Sequence, residues 1–225
     1  MPLDLLICDC DGVLVDSEVL ACRVDAEELA RRGFGGYPLE AVLRRFAGIA
    51  QADVIATVER ETGRSVGADF AAAVAQRVET LLLEALQPLP GADAVLAALP
   101  VRKCVASSSS PRKLDLALTR TGLKAHFGAD IYSAALVERG KPAPDLFLYA
   151  AARLGAAPER CCVVEDSAAG VAAALAAGMP VIGFTGGSHC PPGHAERLAG
   201  LGASVIARHW REIPALLAAF PALRA

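Results

Sequence analysis

The stretch from Leu5 to Glu18 reads LLICDCDGVLVDSE, and it decides the fold. An apolar run leads directly into two aspartates and a glycine, which is typical of a buried central strand that ends at a ligand site. Residues two apart on a strand point to the same side, so Asp9 and Asp11 are expected to face one site. Two carboxylates held that close together favour a bound cation. The spacing therefore predicts a metal site with acid–base chemistry.

Two simpler interpretations of the D-x-D-G string are open at this point. A calcium loop has similar spacing, but it needs further oxygen ligands, a glutamate at its twelfth position and flanking helices, whereas a strand precedes Asp9. A turn with two solvated carboxylates is the other interpretation. Partner residues further along the chain weigh against both.

The composition is that of a globular protein without a polyanion-binding surface. The 225 residues are 54% hydrophobic and 21% charged, which suits one large domain or a core with a smaller insert. The formal net charge of −3 argues against nucleic-acid binding, and no apolar stretch is long enough to cross a bilayer. The N-terminus lacks the features of a signal peptide, so we expect a cytoplasmic protein. The seven cysteines lack C-x-x-C spacing and are expected to be reduced, buried thiols.

Hydrophobic patterning divides the chain into two parts. The first is helical and predicts helices over residues 18–32, 39–46, 51–62 and 67–86. In the second, helical patterns alternate with strand patterns at residues 103–107, 130–133, 161–165, 180–184 and 203–207, which predicts a parallel sheet covered on both faces. We therefore expect an α/β fold: a Rossmann-like, doubly wound core of residues 1–16 and 88–225, with an α-helical cap domain, residues 17–87, inserted after the first strand.

Polar residues suited to phosphate chemistry follow four of the predicted strands. They are Asp9 with Asp11, the serines Ser107 to Ser110, Lys141, and Glu165 with Asp166. Taken singly, each of these features has a simpler interpretation. A serine run is usually a loop, a lysine is usually a solvated charge, and an acidic pair before a helix often only stabilises the start of that helix. Because the carboxyl ends of parallel strands meet at one edge of the sheet, their placement favours a shared site.

In this order, the segments DCDGVLVDSE, VASSSSP, GKPAPDLF and VVEDSAAGVAAALAAGM resemble the haloacid dehalogenase-like hydrolase superfamily, in particular its phosphatases with a small helical cap. The resemblance covers essentially the whole chain. It implies a phosphoric monoester hydrolase that uses Mg²⁺ and an aspartyl-phosphate intermediate. The similarity to sugar-phosphate phosphatases of the 6-phosphogluconate type implies a sugar, sugar-acid or polyol phosphate as substrate. We expect a monomer without a nucleic-acid or membrane partner.

The resemblance also implies roles for individual residues. Asp9 would be the nucleophile and Asp11 the general acid and base, while Ser107 and Lys141 would hold the transferred phosphoryl group. Substrate contacts would come from Ser108, Ser109 and Gln51. The magnesium site would comprise Asp9, Asp11 through its carbonyl, Asp166, and Glu165 in support.

Departures from the family pattern narrow the reaction. Dehalogenases lack the second aspartate, and the phosphonate-cleaving members need a cap lysine, whereas residues 17–86 contain none. Hexose-phosphate mutases of the β-phosphoglucomutase type carry cationic and imidazole groups at three positions that are Ala21, Gln51 and Ser110 here. Hydrolysis is therefore the preferred reaction. The alternatives are a mutase and, in another class, a non-catalytic phosphorylatable switch.

The segment Ser188–His194, with the sequence SHCPPGH, has a hint of zinc-ligand spacing. His189, Cys190 and His194 would be its three ligands. Three ligands in one loop without a partner pair are weak evidence for zinc. We therefore interpret this segment as structural.

Overall fold

A computed structural model describes residues 3–219. It contains one sheet of six parallel strands in the order β3-β2-β1-β4-β5-β6. The strands are β1 (Leu5–Cys8), β2 (Arg102–Ser107), β3 (Ile131–Ser133), β4 (Cys161–Glu165), β5 (Val181–Phe184) and β6 (Val205–Ala207). This is the doubly wound, Rossmann-type strand order. The predicted fold class is confirmed.

Ten α-helices lie along the described residues. Four follow the first strand: α1 (Ser17–Arg31), α2 (Leu39–Phe46), α3 (Gln51–Thr62) and α4 (Phe70–Ala85). Six more alternate with the later strands: α5 (Ala92–Ala98), α6 (Pro111–Arg120), α7 (Asp145–Arg153), α8 (Ala168–Ala176), α9 (His194–Gly200) and α10 (Ile213–Ala218). Short 3₁₀ turns span Leu123–His126, Ala134–Leu136, Pro158–Arg160 and Trp210–Glu212.

Strand β1 is buried on both faces of the sheet. All four of its residues are fully buried, and it pairs with β2 on one side and β4 on the other. Successive side chains on a strand alternate between the two faces. Leu5 and Ile7 belong to a large apolar cluster that includes Leu146 and Phe147 of α7. A continuous apolar run is what a central parallel strand requires, because helices cover both of its faces.

The chain forms two compact units. One contains the described residues up to Asp16 and from Gln87 onward, and the other spans Ser17–Leu86. We placed Gln87 in the helical insert, but its carbonyl accepts a hydrogen bond from the backbone N–H of Asp16 at 3.2 Å, within the first unit. Val15 also forms a bridge with Pro88. The two chain segments that connect the units are thus paired with each other.

The helical unit has an apolar core of its own. Leu29 of α1, Val42 of α2, Val54 of α3 and Phe70 of α4 are buried together with their neighbours. Helix α4 begins three residues later than predicted, because Gly67 has φ +98°, a left-handed conformation that an α-helix excludes. The carbonyl of Gly67 instead accepts the backbone N–H of Phe70 at 3.1 Å, forming a turn.

The cysteines form no disulfide among the described residues. Six are buried, as predicted, but Cys190 is only partly buried, so that prediction is wrong for this residue. Between residues 3 and 219, no helix is both long and apolar enough to cross a membrane.

Candidate active site

The ammonium group of Lys141 bridges the ends of two adjacent strands. Its Nζ atom lies 2.5 Å from Oδ1 of Asp9, which follows β1, and 2.6 Å from Oε1 of Glu165, the last residue of β4. The Lys141 side chain is 4% exposed. Burial alone would lower the pKa of Lys141, but the charges of Asp9 and Glu165 outweigh burial and raise it. Lys141 is therefore a fixed cation beside Asp9.

Glu165 is held on both of its carboxylate oxygens. Oε1 faces Lys141, while Oε2 accepts the backbone N–H of Ser167 at 2.8 Å and the Ser167 hydroxyl at 2.9 Å. Gly170 leaves room for this carboxylate, since a Cβ at Gly170 would lie 1.8 Å from Glu165 Oε1. These contacts fix the carboxylate in the position that orients Lys141.

Asp11 contacts residues that follow β2, in the serine loop and in α6. Its Oδ1 lies 2.8 Å from Nζ of Lys113, and its Oδ2 accepts the hydroxyl of Ser109 at 2.5 Å. Strand β1 ends at Cys8, and the backbone N–H of Asp9 still donates to the carbonyl of Val164 at 3.0 Å, but strand alternation does not extend to Asp11 as we expected. Asp11 lies in a turn instead, in which the carbonyl of Cys10 accepts the backbone N–H of Leu14 at 2.9 Å.

The serine run forms an ordered loop between β2 and α6. Ser107 is buried at the end of β2, and its hydroxyl oxygen accepts the backbone N–H of Ser109 at 3.1 Å. The Ser109 carbonyl accepts the hydroxyl of Ser133 at 2.7 Å, whereas Ser108 is exposed. Ser110 caps α6, because its hydroxyl oxygen accepts the backbone N–H of Lys113 at 3.3 Å. The loop thus places the Ser109 hydroxyl on the Asp11 carboxylate and holds the buried Ser107 hydroxyl at the end of β2.

Asp166 contacts two histidines that follow β5. Its Oδ2 lies 3.0 Å from Nε2 of His189, and its backbone carbonyl lies 2.7 Å from Nε2 of His194. Burial alone would lower the pKa of His189, but its hydrogen bonds with Asp166 and Cys190 raise it to about 11. The Asp166 carboxylate is therefore paired on one oxygen with a buried imidazole.

The site carries more negative charge than its lysines offset. Burial raises the pKa of Asp9 well above its usual range; Lys141 opposes this, while Glu165, Asp166 and Asp11 raise it further. In the described part of the chain, no three His, Cys, Asp or Glu residues are grouped closely enough to hold a metal ion as the side chains lie. Asp9, Glu165 and Asp166 nonetheless offer buried carboxylate oxygens, and a hard divalent cation would offset their excess charge. The residues fit Mg²⁺.

A family comparison gives this cluster a chemical context. Residues 3–178 match the family model described as a haloacid dehalogenase-like hydrolase. The chain belongs to the haloacid dehalogenase-like hydrolase family. The match includes Asp9, Ser107, Lys141 and Asp166, so the predicted family is confirmed. The chain is a hydrolase of this family, in keeping with the phosphoric monoester hydrolase that its sequence predicts.

Two relatives of the chain are named sugar-phosphate phosphatases. The chain is 31% identical to the 6-phosphogluconate phosphatase of Escherichia coli strain K12, over 84% of this chain and 86% of that protein. It is 30% identical to a fructose-1-phosphate phosphatase of the same organism, over 79% of this chain and 94% of that one. It is also similar to a crystal structure of a family hydrolase from Deinococcus radiodurans R1 with bound phosphate and sodium, with a TM-score of 0.83, 34% identity and coverage of 98% and 97% of the two chains.

Gln51 differs from the other predicted site residues, because it belongs to the helical unit. It is the first residue of α3, and its Nε2 donates to Oδ1 of Asp25 at 2.9 Å. Asp25 is itself buried. The amide of Gln51 is thus engaged within its own unit.

Sequence reasoning missed three residues that contact Asp11 or Asp166, namely Lys113, His189 and His194. It also missed Ser133, whose hydroxyl donates to the Ser109 carbonyl. Lys113 had a signal, since it lies in the first turn of a helix that follows the serine loop. The sequence analysis considered the two histidines only as zinc ligands. No local pattern predicts that they contact Asp166, because His189 lies 23 positions and His194 lies 28 positions after it in the chain. Only the order of β4 and β5 in the sheet brings them together.

Proposed function

We propose that this hydrolase is a Mg²⁺-dependent phosphatase of sugar, sugar-acid or polyol phosphates that works through an aspartyl-phosphate on Asp9. The observation that carries the proposal is the buried contact of Lys141 with both Asp9 and Glu165, at 2.5 and 2.6 Å. It places a fixed cation beside a carboxylate at the edge of the sheet where ligands bind. The phosphatase relatives and the phosphate bound in the Deinococcus radiodurans structure support this chemistry.

The first half of the reaction forms a bond between a carboxylate oxygen of Asp9 and phosphorus, and breaks the bond to the substrate's ester oxygen. Phosphoryl transfer depends mainly on positioning and on neutralising the charge of the phosphoryl oxygens. The ammonium of Lys141 supplies that neutralisation, and the hydroxyl of Ser107 donates a hydrogen bond to a phosphoryl oxygen. Asp11 gives its proton to the departing alkoxide.

The second half transfers the phosphoryl group from Asp9 to water. Asp11 now takes a proton from the attacking water, which requires its carboxylate form. The ammonium of Lys113, 2.8 Å from one carboxylate oxygen, and the Ser109 hydroxyl, which donates to the other, orient the Asp11 carboxylate. One residue thus serves as acid and then as base, while Asp9 returns to its starting state.

Asp9, Asp166 and the backbone carbonyl of Asp11 are the groups we assign to Mg²⁺. When bound, the cation neutralises charge on the phosphoryl oxygens. Glu165 supports the site by holding Lys141 in place. A cation beside Asp9 also keeps this nucleophile ionised, against the burial that raises its pKa.

The helical unit, residues 17–86, is assigned the role of a substrate-selecting cap. Its two connections to the core meet at Asp16 and Gln87, whose backbones are hydrogen-bonded at 3.2 Å. Paired connections of this kind suit a hinge between two units. A monomer acting in the cytoplasm on a small phosphorylated metabolite completes the proposal.

The nucleophile assignment is tested with Asp9→Asn. The amide is nearly isosteric with the carboxylate but is a poor nucleophile, so phosphate release from 6-phosphogluconate and fructose 1-phosphate should fall to background while the fold is retained. Brief incubation of the wild type with substrate and Mg²⁺, followed by acid quenching and mass spectrometry, should show phosphorylation on the peptide that contains Asp9.

Asp115→Asn is the matched control, because Asp115 forms an exposed ion pair with Lys124 at 2.5 Å. It should keep wild-type turnover. Turnover by Asp9→Asn at the wild-type rate would overturn the assignment. Phosphorylation of Asp9 without any turnover would instead support a phosphorylatable switch protein.

A further inference from the structure

The loop Gly187–His194, between β5 and α9, is tied to the acidic cluster at several points. Near its start, Ser188 donates its backbone N–H and its hydroxyl to the carboxylate of Asp16, at 3.1 and 2.5 Å. Asp16 is the last residue of the segment 9–16, which begins with Asp9. The loop is therefore anchored to the segment that carries the proposed nucleophile, and this anchoring fixes where its histidines lie.

His189 occupies a space that only glycine neighbours permit. A Cβ at Gly12 would lie 2.7 Å from Cε1 of His189, and a Cβ at Gly187 would lie 2.7 Å from Cε1 and Nδ1 of the same ring. The ring is thus enclosed by two backbone segments, with its Nε2 3.0 Å from Oδ2 of Asp166. Both side chains in this pair are 7% exposed. Such an enclosed ring has little freedom to turn away from the carboxylate.

His194 contacts the backbone carbonyl of the same aspartate, Asp166. Because a carbonyl oxygen only accepts hydrogen bonds, Nε2 of His194 must be the donor in the 2.7 Å contact with Asp166. An ionised carboxylate likewise only accepts, so Nε2 of His189 also carries a hydrogen. The Nδ1 atoms of both rings are buried without a partner. The hydrogen-bonded nitrogen of each histidine therefore contacts Asp166, and Nε2 of His189 also lies 3.7 Å from Sγ of Cys190.

We propose that His189 and His194 are positioning residues that hold Asp166 in the orientation for binding the divalent cation. The inference rests on the proposed function, in which Asp166 is a metal ligand. Partners that hydrogen-bond to metal ligands orient them, and losing such a partner typically costs about 10- to 100-fold in metal affinity. His189 acts on the carboxylate itself, so its loss has the larger effect. His194 acts through the backbone, so its loss has the smaller one.

The test measures Mn²⁺ binding to the full-length protein without substrate, using the electron paramagnetic resonance signal of free Mn²⁺. His189→Leu removes the donor and should raise the Mn²⁺ Kd by about 10- to 100-fold. His189→Gln places an amide N–H near the original Nε2 position and should restore most of the affinity. His194→Leu should raise Kd by a smaller factor.

His126→Leu is the matched control. His126 also contacts an aspartate through Nε2, at 2.7 Å from Oδ1 of Asp93, but that aspartate is exposed and outside the proposed metal site. This variant should bind Mn²⁺ as the wild type does. At saturating Mg²⁺, His189→Leu should recover most of its kcat, because the residue sets metal affinity rather than the chemical step.

Asp166→Ala separates failure of this inference from failure of the proposed function. If Asp166→Ala loses Mn²⁺ binding while His189→Leu binds normally, the positioning role is overturned and the metal site stands. If Asp166→Ala binds Mn²⁺ like the wild type, the proposed metal site itself is wrong. Should His189→Leu not fold by circular dichroism, His189→Asn replaces it, since asparagine is too short to place a donor at the Nε2 position. Equal Kd values for the Asn and Gln variants would then overturn the inference.

Discussion

The ammonium of Lys141 lies 2.5 Å from the carboxylate of Asp9, although 132 positions separate the two residues in the chain. Both side chains are more than nine-tenths buried. Burying two charges costs free energy that their attraction offsets only when both partners are in place. The pair therefore links the stability of the fold to the chemistry of the site.

Replacing Lys141 by methionine should lower the free energy of unfolding by about 3–5 kcal/mol, because Asp9 and Glu165 lose their buried cation. Urea denaturation measures this change. In the Lys141→Met variant, a second substitution, Glu165→Gln, should recover part of the lost free energy of unfolding because it removes one unpaired charge. Arg139→Met is the control, since Arg139 is 68% exposed beside Asp145 and should cost at most about 1 kcal/mol. Equal losses from Lys141→Met and Arg139→Met would contradict the prediction.

Gly12→Ala should weaken both the fold and metal binding. Its Cβ would lie 1.9 Å from Oδ2 of Asp166, and φ is +76°, where a side chain is strained. Gly128 has φ +58° but open space around it, so Gly128→Ala isolates the backbone strain, about 1–2 kcal/mol. Urea denaturation should show a larger loss for Gly12→Ala, and only this variant should need more Mg²⁺ for half-maximal activity. Identical Mg²⁺ requirements would argue against a metal site at Asp166.

Asp11→Asn should lower kcat by about 10²- to 10⁴-fold, the usual contribution of a general acid–base group. With a substrate whose leaving group needs no proton, such as p-nitrophenyl phosphate, the first step persists while water attack on the aspartyl-phosphate loses its base. Phosphorylated enzyme should then accumulate, as rapid acid quenching and mass spectrometry would detect. Faster loss of the phosphoryl group than in the wild type would contradict the base role.

The stability of the helical unit should depend on pH through Asp25. Burial raises the pKa of Asp25 above its ordinary 3.8, while the hydrogen bond from Gln51 opposes the rise. The folded state thus binds this proton more tightly than the unfolded chain, so the contribution of Asp25 to stability is fully present below pH 3.8 and is lost as pH rises through the folded pKa. Asp25→Asn should remove this contribution and raise Tm at neutral pH. Thermal unfolding across this range checks it, and a lower neutral Tm in Asp25→Asn would contradict it.

Incubation with β-glucose 1-phosphate and a trace of glucose 1,6-bisphosphate should release phosphate, if the substrate is accepted, without forming glucose 6-phosphate. By the resemblance, Ser110 and Gln51 would correspond to positions where mutases carry groups for a second phosphate, and here Ser110 caps α6 while Gln51 donates to Asp25. Neutral hydrogen bonds are roughly half as strong as the charge-assisted ones that arginine forms with phosphate. Coupled enzymatic assay of glucose 6-phosphate gives the readout. Efficient isomerisation without phosphate release would favour the mutase alternative.

The local pattern of the sequence was sufficient for the sheet and for most helices. Apolar runs such as residues 5–8 and 161–164, separated by helical periodicity, predict a parallel sheet because the central strands of such a sheet are buried on both faces. The start of α6 likewise depends on neighbouring residues, because the Ser110 hydroxyl accepts the backbone N–H of Lys113 and Pro111 has no N–H that needs a partner. These features depend on neighbours in the chain, so periodicity and turn chemistry suffice to predict them.

The contacts of the site were decided by tertiary structure alone. The pairing of Asp11 with Lys113, and of Asp166 with His189 and His194, joins residues from different loops whose conformations no local pattern specifies. Gly12 and Gly187 allow these loops to approach because neither has a side chain, a requirement that appears only once the loops are placed together. The sequence by itself determined which polar residues reach the edge of the sheet. Which of them contact one another was set by strand order and close packing, because these bring distant segments within hydrogen-bond distance.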